Sequence, residues 1–275
     1  MRYIDTHCHI NFPAYESDQA AVIERARATE TGMIIVGTGE QTSASGAALA
    51  QSSKDIWAIV GLHPIHVRTQ SQPNEEVFNP AFYENLIKNN DRVVGIGECG
   101  FDFFRGSADC AEEQERVFRQ HIDLAVAYDK PLMLHLRNAK EWAPAHGDTE
   151  NAYRKAITIL QEYTQKGHKV RGNAHFFAGT VDEARDFIAL GFTISFTGVI
   201  TFARSYDEAI RAVPIDSILS ETDAPFVAPV PHRGERNEPS YVQNTVAKMA
   251  EIKGIPLEEM RLAVLDNAKR LFRIG

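Results

Sequence analysis

The sequence predicts an α/β protein, a (β/α)8 TIM barrel, with a metal site at the C-terminal ends of its strands. Short apolar runs rich in β-branched residues alternate with longer amphipathic segments along the whole chain. Such runs are typical of parallel strands that are buried on both faces. Eight strand–helix units within 275 residues favour a barrel over an open doubly wound sheet. The longest irregular stretches follow predicted strands, where a barrel keeps its active-site loops.

In the first half of the chain, the apolar runs "RYIDTH", "GMIIVGTG", "DIWAIVG" and "RVVGIGE" predict strands over 2–7, 32–39, 55–61 and 92–98. Apolar residues that recur at helical spacing predict the helices that follow them, over 18–29, 41–53, 79–89 and 112–129.

In the second half, strands are predicted over 130–136, 169–177, 191–196 and 216–223. Helices are predicted over 150–166, 180–190, 205–212, 240–252, 257–263 and 265–272. No break in composition marks a linker, so we expect a single domain over residues 1–275.

Composition and charge exclude several classes of protein. The net charge of −8 argues against non-specific electrostatic binding to nucleic acids or membranes. No apolar stretch approaches the roughly 18 residues of a membrane span, and the N-terminus lacks a signal-peptide layout. We therefore expect a cytoplasmic protein. Cys8, Cys99 and Cys110 are too few for a disulfide framework.

Histidines and carboxylates follow the predicted strands at one end. His7 and His9 are two residues apart at the end of the first strand, so their side chains point the same way. The other strand ends supply His63, Glu98, His135, His175, Glu221 and Asp223. The C-terminal ends of barrel strands converge on one face, so these groups are expected to meet in one pocket.

Any one of these histidines alone is explained as a hydrogen-bonded structural residue. The whole group is not, because imidazoles and carboxylates are costly to bury unless they are paired or bound to metal. Mixed nitrogen and oxygen donors suit Zn²⁺, Mn²⁺, Co²⁺ or Fe²⁺, and the carboxylates also suit Mg²⁺. The sequence therefore predicts a divalent-metal site.

The motifs "DTHCH", "GLHP", "GIGECGFDF", "LHLR", "HFFAG", "ETDAPFVAP", "RGERNEPSYV" and "NAKRLF" occur in that order between residues 4 and 272. With these motifs the chain resembles the TatD family of metal-dependent hydrolases, which belongs to the amidohydrolase superfamily. H-x-H by itself is a weak signal, whereas its combination with G-E-x-G-x-D and E-T-D-A-P is strong.

The resemblance implies two divalent metal ions, with Mg²⁺, Zn²⁺ and Mn²⁺ all open as their identity. By this resemblance, His7, His9 and Asp223 hold one ion, His135 and His175 hold the second, and Glu98 bridges the two. Asp223 is also the expected general base, and His63 is expected to act near the attacked or leaving group.

The activity that the resemblance implies is that of a DNase, with 3′→5′ exonuclease-type hydrolysis of phosphodiesters by a metal-activated water. An ester or amide hydrolase, such as a D-aminoacyl-tRNA deacylase, remains an alternative because the same ligands serve acyl chemistry. A binding protein with a silent metal site is the third interpretation, and the complete set of ligands disfavours it.

Two arginines are candidates for substrate binding. Arg137 follows His135 by two residues and therefore points into the same pocket. Arg233 lies in the loop after the last strand, where binding and structural roles are evenly balanced. For nearby Arg236, a role in fixing the loop is favoured. Glu221 and Asp102 are expected to orient metal ligands or loops.

We expect the partner to be a DNA end or another phosphate-bearing substrate. The sequence shows no stable protein partner and no membrane attachment, and it favours a monomer. The segment between His135 and His175 is longer than is usual in TatD proteins and is expected to reshape the rim of the pocket.

Overall fold

The computed structural model describes residues 1–70, 72–105, 110–140 and 151–275. Eight parallel strands in these ranges pair in chain order to form a nearly closed barrel, which confirms the predicted fold class. The strands are β1 (Tyr3–Cys8), β2 (Thr31–Val36), β3 (Ile56–Val60), β4 (Val93–Asp102), β5 (Leu132–Arg137), β6 (Gly172–Ala174), β7 (Phe192–Phe196) and β8 (Ile218–Ser220).

The described helices alternate with the strands. They are α1 (Gln19–Ala28), α2 (Glu40–Gln51), α3 (Pro80–Asn89), α4 (Cys110–Ala127), α5 (Ala152–Gln165), α6 (Val181–Ala189), α7 (Asp207–Ala212), α8 (Val242–Lys253) and α9 (Leu257–Phe272). None of the helices described here has both the length and the apolar character needed to cross a bilayer.

Some predicted boundaries were wrong. The two helices predicted over 257–263 and 265–272 form one continuous helix, α9, because neither glycine nor proline interrupts that stretch. Strand β4 continues past Glu98 to Asp102. Strands β6 and β8 are shorter than predicted, and the backbone turns into the left-handed region shortly after each, at Phe176 (φ 44°) and Asp223 (φ 57°).

Backbone contacts between β1 and the segment after β8 bring the two ends of the sheet together. Cys8 and Ala224 form a parallel bridge. The amide of His9 donates to the carbonyl of Ala224 at 2.7 Å, and the amide of Asp223 donates to the carbonyl of His7 at 2.9 Å. These bonds place the H-x-H segment directly beside Asp223.

Apolar side chains fill the barrel beneath the strand ends. Ile34, Ile59, Met133 and Leu219 belong to one buried cluster that also includes Leu271 and Phe272 of α9. Met133 precedes His135 by two residues and Leu219 precedes Glu221 by two, so the same strand faces carry apolar residues below and polar residues above. A larger cluster, which includes Cys8 and Cys99, lies between the strands and the outer helices.

Candidate metal centre

The carboxylate of Glu98 lies at the centre of five histidines, His7, His9, His63, His135 and His175. Its oxygens are 2.8 Å from His135 Nδ1 and His175 Nε2. The Nε2 atoms of His7 and His63 are both 3.4 Å away, and that of His9 is 3.8 Å away. All five histidines were predicted as site residues, and the barrel brings them to one point from the ends of four strands, β1, β3, β5 and β6.

A bulge in β4 aims Glu98 at this point. The pairing of β4 with β5 shifts register between Gly97 and Cys99. Gly97 and Gly100 have φ angles of 144° and 133°, which L side chains rarely adopt. A Cβ at Gly97 would lie 2.5 Å from the carbonyl oxygen of Met133. The two glycines of "GECG" thus permit the bulge, and bulges commonly redirect a side chain beside an active site.

His7 and His9 point into the barrel as a pair, with their Nε2 atoms 3.1 Å apart. The Nδ1 atom of His9 lies 2.8 Å from the carbonyl oxygen of Val36, to which it donates. This hydrogen bond places the proton of neutral His9 on Nδ1 and leaves the Nε2 lone pair facing the centre. Both side chains are buried, at 0% and 3% exposure.

His135 is oriented by Asp102, as the sequence predicted for that carboxylate. Its Nε2 atom lies 3.0 Å from Asp102 Oδ2, and its Nδ1 atom faces Glu98. The other oxygen of Asp102 accepts from the amides of Phe104 and Arg105 at 3.0 and 2.9 Å. Asp102 therefore directs the Nδ1 lone pair of His135 toward the centre and fixes the turn after β4.

Glu221 supports His175 from behind. Its Oε1 atom lies 3.4 Å from His175 Nδ1 and accepts from the amide of Phe176 at 2.6 Å. Its Oε2 atom accepts from the hydroxyl of Ser195 at 2.7 Å. The side chain of Glu221 is fully buried. Its position fits the expected orienting role and leaves Nε2 of His175 facing the centre.

Asp223 ends the short segment after β8 in the left-handed conformation, which aspartate tolerates better than most residues. Its carboxylate lies 3.4 Å from His9 Nε2 and 3.8 Å from His7 Nε2. Asp5 positions the preceding residue, Thr222, by accepting from its amide at 2.9 Å and from its hydroxyl at 2.5 Å. The β1 strand thus holds Asp223 in place as well as supplying the two histidines.

His63 differs from His9 and His135 in the nitrogen that it turns toward the centre. Its Nδ1 atom accepts a hydrogen bond from the amide of Ile65 at 3.1 Å. A neutral His63 therefore carries its proton on Nε2, the atom that faces Glu98. This arrangement suits a hydrogen-bond donor better than a metal ligand.

The surroundings of Glu98, Asp223 and His63 shift the pKa values of these three groups below their ordinary values. Burial raises the pKa of Glu98, but the charges of His63, His175 and His7 outweigh it and hold that pKa well below its ordinary value. Burial likewise opposes ionisation of Asp223, and the hydrogen bond from His9 reverses this and lowers its pKa. Burial, together with the charge of His135, lowers the pKa of His63 to about 4. At neutral pH both carboxylates are ionised and His63 is neutral.

The donor set fits divalent cations. The Nε2 atoms of His7 and His9 lie 3.1 Å apart, and the hydrogen bond from Nδ1 of neutral His9 to Val36 leaves a lone pair on its Nε2 atom, so this close approach requires a proton or a cation between the two rings. The described part of the chain contains three donor groups whose ligand atoms all lie within 4.8 Å of one another: His7, His9 and Glu98; His7, His175 and Glu221; and His63, Glu98 and His135. Two of the groups share Glu98.

A pocket of about 570 Å³ opens over the cluster. Its wall includes Arg137, which was predicted from the sequence, and Arg105, which was not. Among the described residues, neither guanidinium has a carboxylate partner. Arg137 lies 3.8 Å over the ring of Phe104. The position of Arg105 in the loop after β4 is the signal that could have pointed to it, because barrel active sites are built from such loops.

Among the described residues, Arg233 is not one of those that line this pocket. Its guanidinium lies 4.3 Å over the ring of Phe202. Arg236 donates to Asp18 at 2.6 Å and thereby fixes its loop to the start of α1, as favoured from the sequence. Residues 141–150, part of the segment that was expected from the sequence to reshape the rim of the pocket, lie outside the described residues.

A sequence model of the TatD related DNases matches residues 4–273. This chain belongs to that family. The match includes every predicted site residue and all of the strands except Tyr3, the first residue of β1, and it confirms the resemblance that the motifs indicated.

Individual relatives align over nearly their whole lengths. YabD of Bacillus subtilis (strain 168), named an uncharacterized metal-dependent hydrolase, is 34% identical over 274 residues, which cover 98% of this chain and 99% of YabD. YjjV of Escherichia coli (strain K12), named likewise, is 30% identical over 276 residues, covering 99% and 98%.

Solved structures show the same likeness. The crystal structure of YJJV, a TATD homolog from Escherichia coli k12, superposes with a TM-score of 0.84 at 28% identity and covers 100% of this chain and 99% of its own. A hydrolase TatD family protein from Entamoeba histolytica has a TM-score of 0.80 at 22% identity, covering 99% and 98%, and supports the fold alone.

Proposed function

We propose that this TatD-family metal-dependent hydrolase is a DNase that removes nucleotides from the 3′ end of a DNA strand. The observation that carries the proposal is the pairing of two features in one pocket. A cluster of buried histidines and carboxylates suited to divalent ions lies at its floor, and two arginines without carboxylate partners among the described residues lie on its wall. Unpaired guanidinium groups suit phosphate.

Two divalent ions are proposed, one held by His7, His9 and Asp223 and the other by His135 and His175, with Glu98 shared between them. When bound, such ions lower the pKa of water and stabilise the negative charge that develops on phosphate. In their neutral forms, His9, His135 and His175 would turn a lone pair toward the centre, because a hydrogen bond or a carboxylate holds the opposite nitrogen of each ring.

Different side chains would act on the attacking water and on the leaving oxygen. Asp223 is ionised and solvent can reach its edge, so it can take a proton from the attacking water. His63 carries its proton on Nε2 and can donate a hydrogen bond to the leaving oxygen. Arg137 and Arg105 are placed to hold further phosphates of the strand.

The test is a paired assay on protein reconstituted with Mg²⁺, Mn²⁺ or Zn²⁺. One substrate is a 5′-labelled single-stranded DNA, and the other is a D-aminoacyl-tRNA. Stepwise shortening of the DNA, abolished in His7→Ala and Asp223→Asn, supports the proposal. Deacylation of the tRNA without shortening of the DNA would contradict the proposed DNA substrate and would still agree with the proposed metal site.

Arginine variants test the phosphate contact separately. Arg137→Ala should raise KM for DNA by about 10-fold or more, since a charge-assisted hydrogen bond is lost, and should leave a neutral ester substrate unaffected. Arg233→Ala decides whether the loop after β8 also binds phosphate. An equal effect of Arg137→Ala on both substrates would contradict the proposed phosphate contact.

A further inference from the structure

The pocket has two chemically different sides. Phe12 follows β1 and Phe226 follows β8, and both line the pocket next to His9. Arg105 follows β4 and Arg137 ends β5, and both line the same pocket. In an eight-stranded barrel in chain order, β8 and β1 lie diametrically opposite β4 and β5. An aromatic wall therefore faces a cationic wall across the metal centre.

The aromatic wall is exposed on a fixed backbone. Phe226 is 51% exposed, and among the most exposed large apolar side chains of the described residues it is the one that lines the pocket. Its amide donates to the carbonyl of Asp223 at 2.9 Å, and its own carbonyl accepts from Asn237 Nδ2 at 2.6 Å. An aromatic ring held at a pocket mouth without apolar cover is suited to receive a flat ligand group.

Phe12 extends this wall inward. Its ring stacks on the imidazole of His9 with centroids 4.5 Å apart and an interplanar angle of 16°. The ring of Phe226 lies 6.4 Å from the same imidazole, at 65°. The three rings form a continuous aromatic surface that ends at the histidine pair of the metal centre.

The cationic wall cannot offer the same surface. One face of Phe104, the exposed aromatic ring of this side, is covered by the guanidinium of Arg137 at 3.8 Å. Arg137 and Tyr206 both line the pocket on this side, so the charge of Arg137 borders the pocket beside the Tyr206 hydroxyl. This side therefore favours phosphate over a base.

Resting on the proposed DNase activity, we propose that the pocket binds a DNA end in one orientation. The terminal base stacks against Phe226 and Phe12, and the phosphate one step 5′ of the scissile bond binds Arg137 and Arg105. In-line displacement agrees with this direction, since attacking water and leaving oxygen lie on opposite faces of phosphorus. Water beside Asp223, next to the aromatic wall, would form a bond to phosphorus and give its proton to Asp223 while the bond from phosphorus to the 3′ oxygen breaks. That oxygen would leave with its strand on the side of the arginines and take up a proton supplied through His63 or solvent.

The experiment uses three single-stranded DNA substrates with the metal-loaded enzyme. One has an ordinary 3′ nucleotide, one has an abasic 3′ residue, and one has a neutral methylphosphonate in place of the phosphate next to the scissile one. Phe226→Ala should raise KM about 10-fold for the ordinary end and leave KM for the abasic end unchanged, because loss of stacking matters only where a base is present. Arg137→Ala should show the complementary pattern, with its effect lost on the methylphosphonate.

Matched controls lie on the outside of the barrel. Leu262→Ala removes an exposed apolar side chain of α9, and Arg116→Ala removes an exposed arginine of α4. Phe226→Trp retains an aromatic surface and should restore the low KM. A binding readout without turnover uses Asp223→Asn and DNA ending in 2-aminopurine, whose fluorescence should be quenched on binding and should recover when Phe226→Ala is added.

The outcomes separate the two proposals. If the wild-type enzyme shortens DNA and Phe226→Ala raises KM equally for ordinary and abasic ends, or not at all, the orientation is wrong and the DNase activity stands. If the enzyme hydrolyses bis(4-nitrophenyl) phosphate and does not shorten DNA, the DNase proposal fails, and the orientation fails with it.

Discussion

The stability of this protein should fall in mild acid because of a histidine outside the metal centre. His121 of α4 is fully buried. Its Nε2 atom accepts from the amide of Leu62 at 3.0 Å, and its Nδ1 atom donates to the carbonyl of Val117 at 2.8 Å. Burial lowers its pKa from 6.5 to about 4, because a charged ring would lose water and would have no acceptor for the second proton.

The sign and size of the effect follow from the two pKa values. The unfolded chain binds a proton at His121 near pH 6.5 and the folded chain only near pH 4, so the unfolded state binds more protons between these values. The free energy of unfolding therefore decreases as the pH falls through 6.5. From pH 7 to pH 5 this one group accounts for a loss of about 2 kcal/mol.

The assay is urea unfolding of the wild type and His121→Gln at pH 7, 6 and 5. The glutamine variant should be less stable overall, but its free energy of unfolding should fall by about 2 kcal/mol less over this range than that of the wild type. His168→Gln, at an exposed histidine, controls for the removal of any histidine. Equal pH dependence in the wild type and His121→Gln would refute the assignment.

Three further predictions concern the metal centre. Glu98→Ala should lose bound metal, measured by elemental analysis, and hydrolysis should fall to background; full activity would contradict the shared-ligand assignment. Asp223→Asn should keep part of its metal and lose about 10²–10⁴-fold in kcat, as expected for loss of a general base, and an unchanged kcat would exclude that role. Asp102→Asn should weaken metal binding about 10- to 100-fold in calorimetric titration, because the amide no longer fixes the tautomer of His135. Asp182→Asn, at an exposed position of α6, is the control for this variant. Equal metal affinities in Asp102→Asn and Asp182→Asn would contradict the orienting role of Asp102.

Much of the site could be predicted because barrel topology converts sequence position into spatial position. His7, Glu98, His135, His175 and Asp223 are far apart in the chain, yet each lies at or just beyond the C-terminal half of a strand. Once eight parallel strands are recognised, these residues are expected at one end of the barrel. The order of the strands and the identity of the clustered residues were therefore accessible from periodicity and spacing alone.

The loops were less predictable. Arg137 lies on a strand, where the alternation of side chains predicts the direction of each one, and it lines the pocket as expected. Arg233 sits in a loop whose path depends on contacts with Phe202, and no periodicity reports such contacts. Arg105 also lies in a loop, and although its position after β4 was visible in the sequence, the direction of its side chain depends on a turn that Asp102 fixes.

The sequence by itself determined the fold class, the chain order of the strands and which donors gather at their ends, because these follow from local hydrophobic patterns and the geometry of parallel strands. The tertiary structure alone decided which nitrogen of each histidine faces the centre. Val36, Asp102 and Glu221 select that nitrogen by hydrogen bonds or close carboxylate contacts across the barrel. It also decided that the aromatic and cationic walls face each other, since the angular positions of β1, β4, β5 and β8 exist only once the sheet has curved into a barrel.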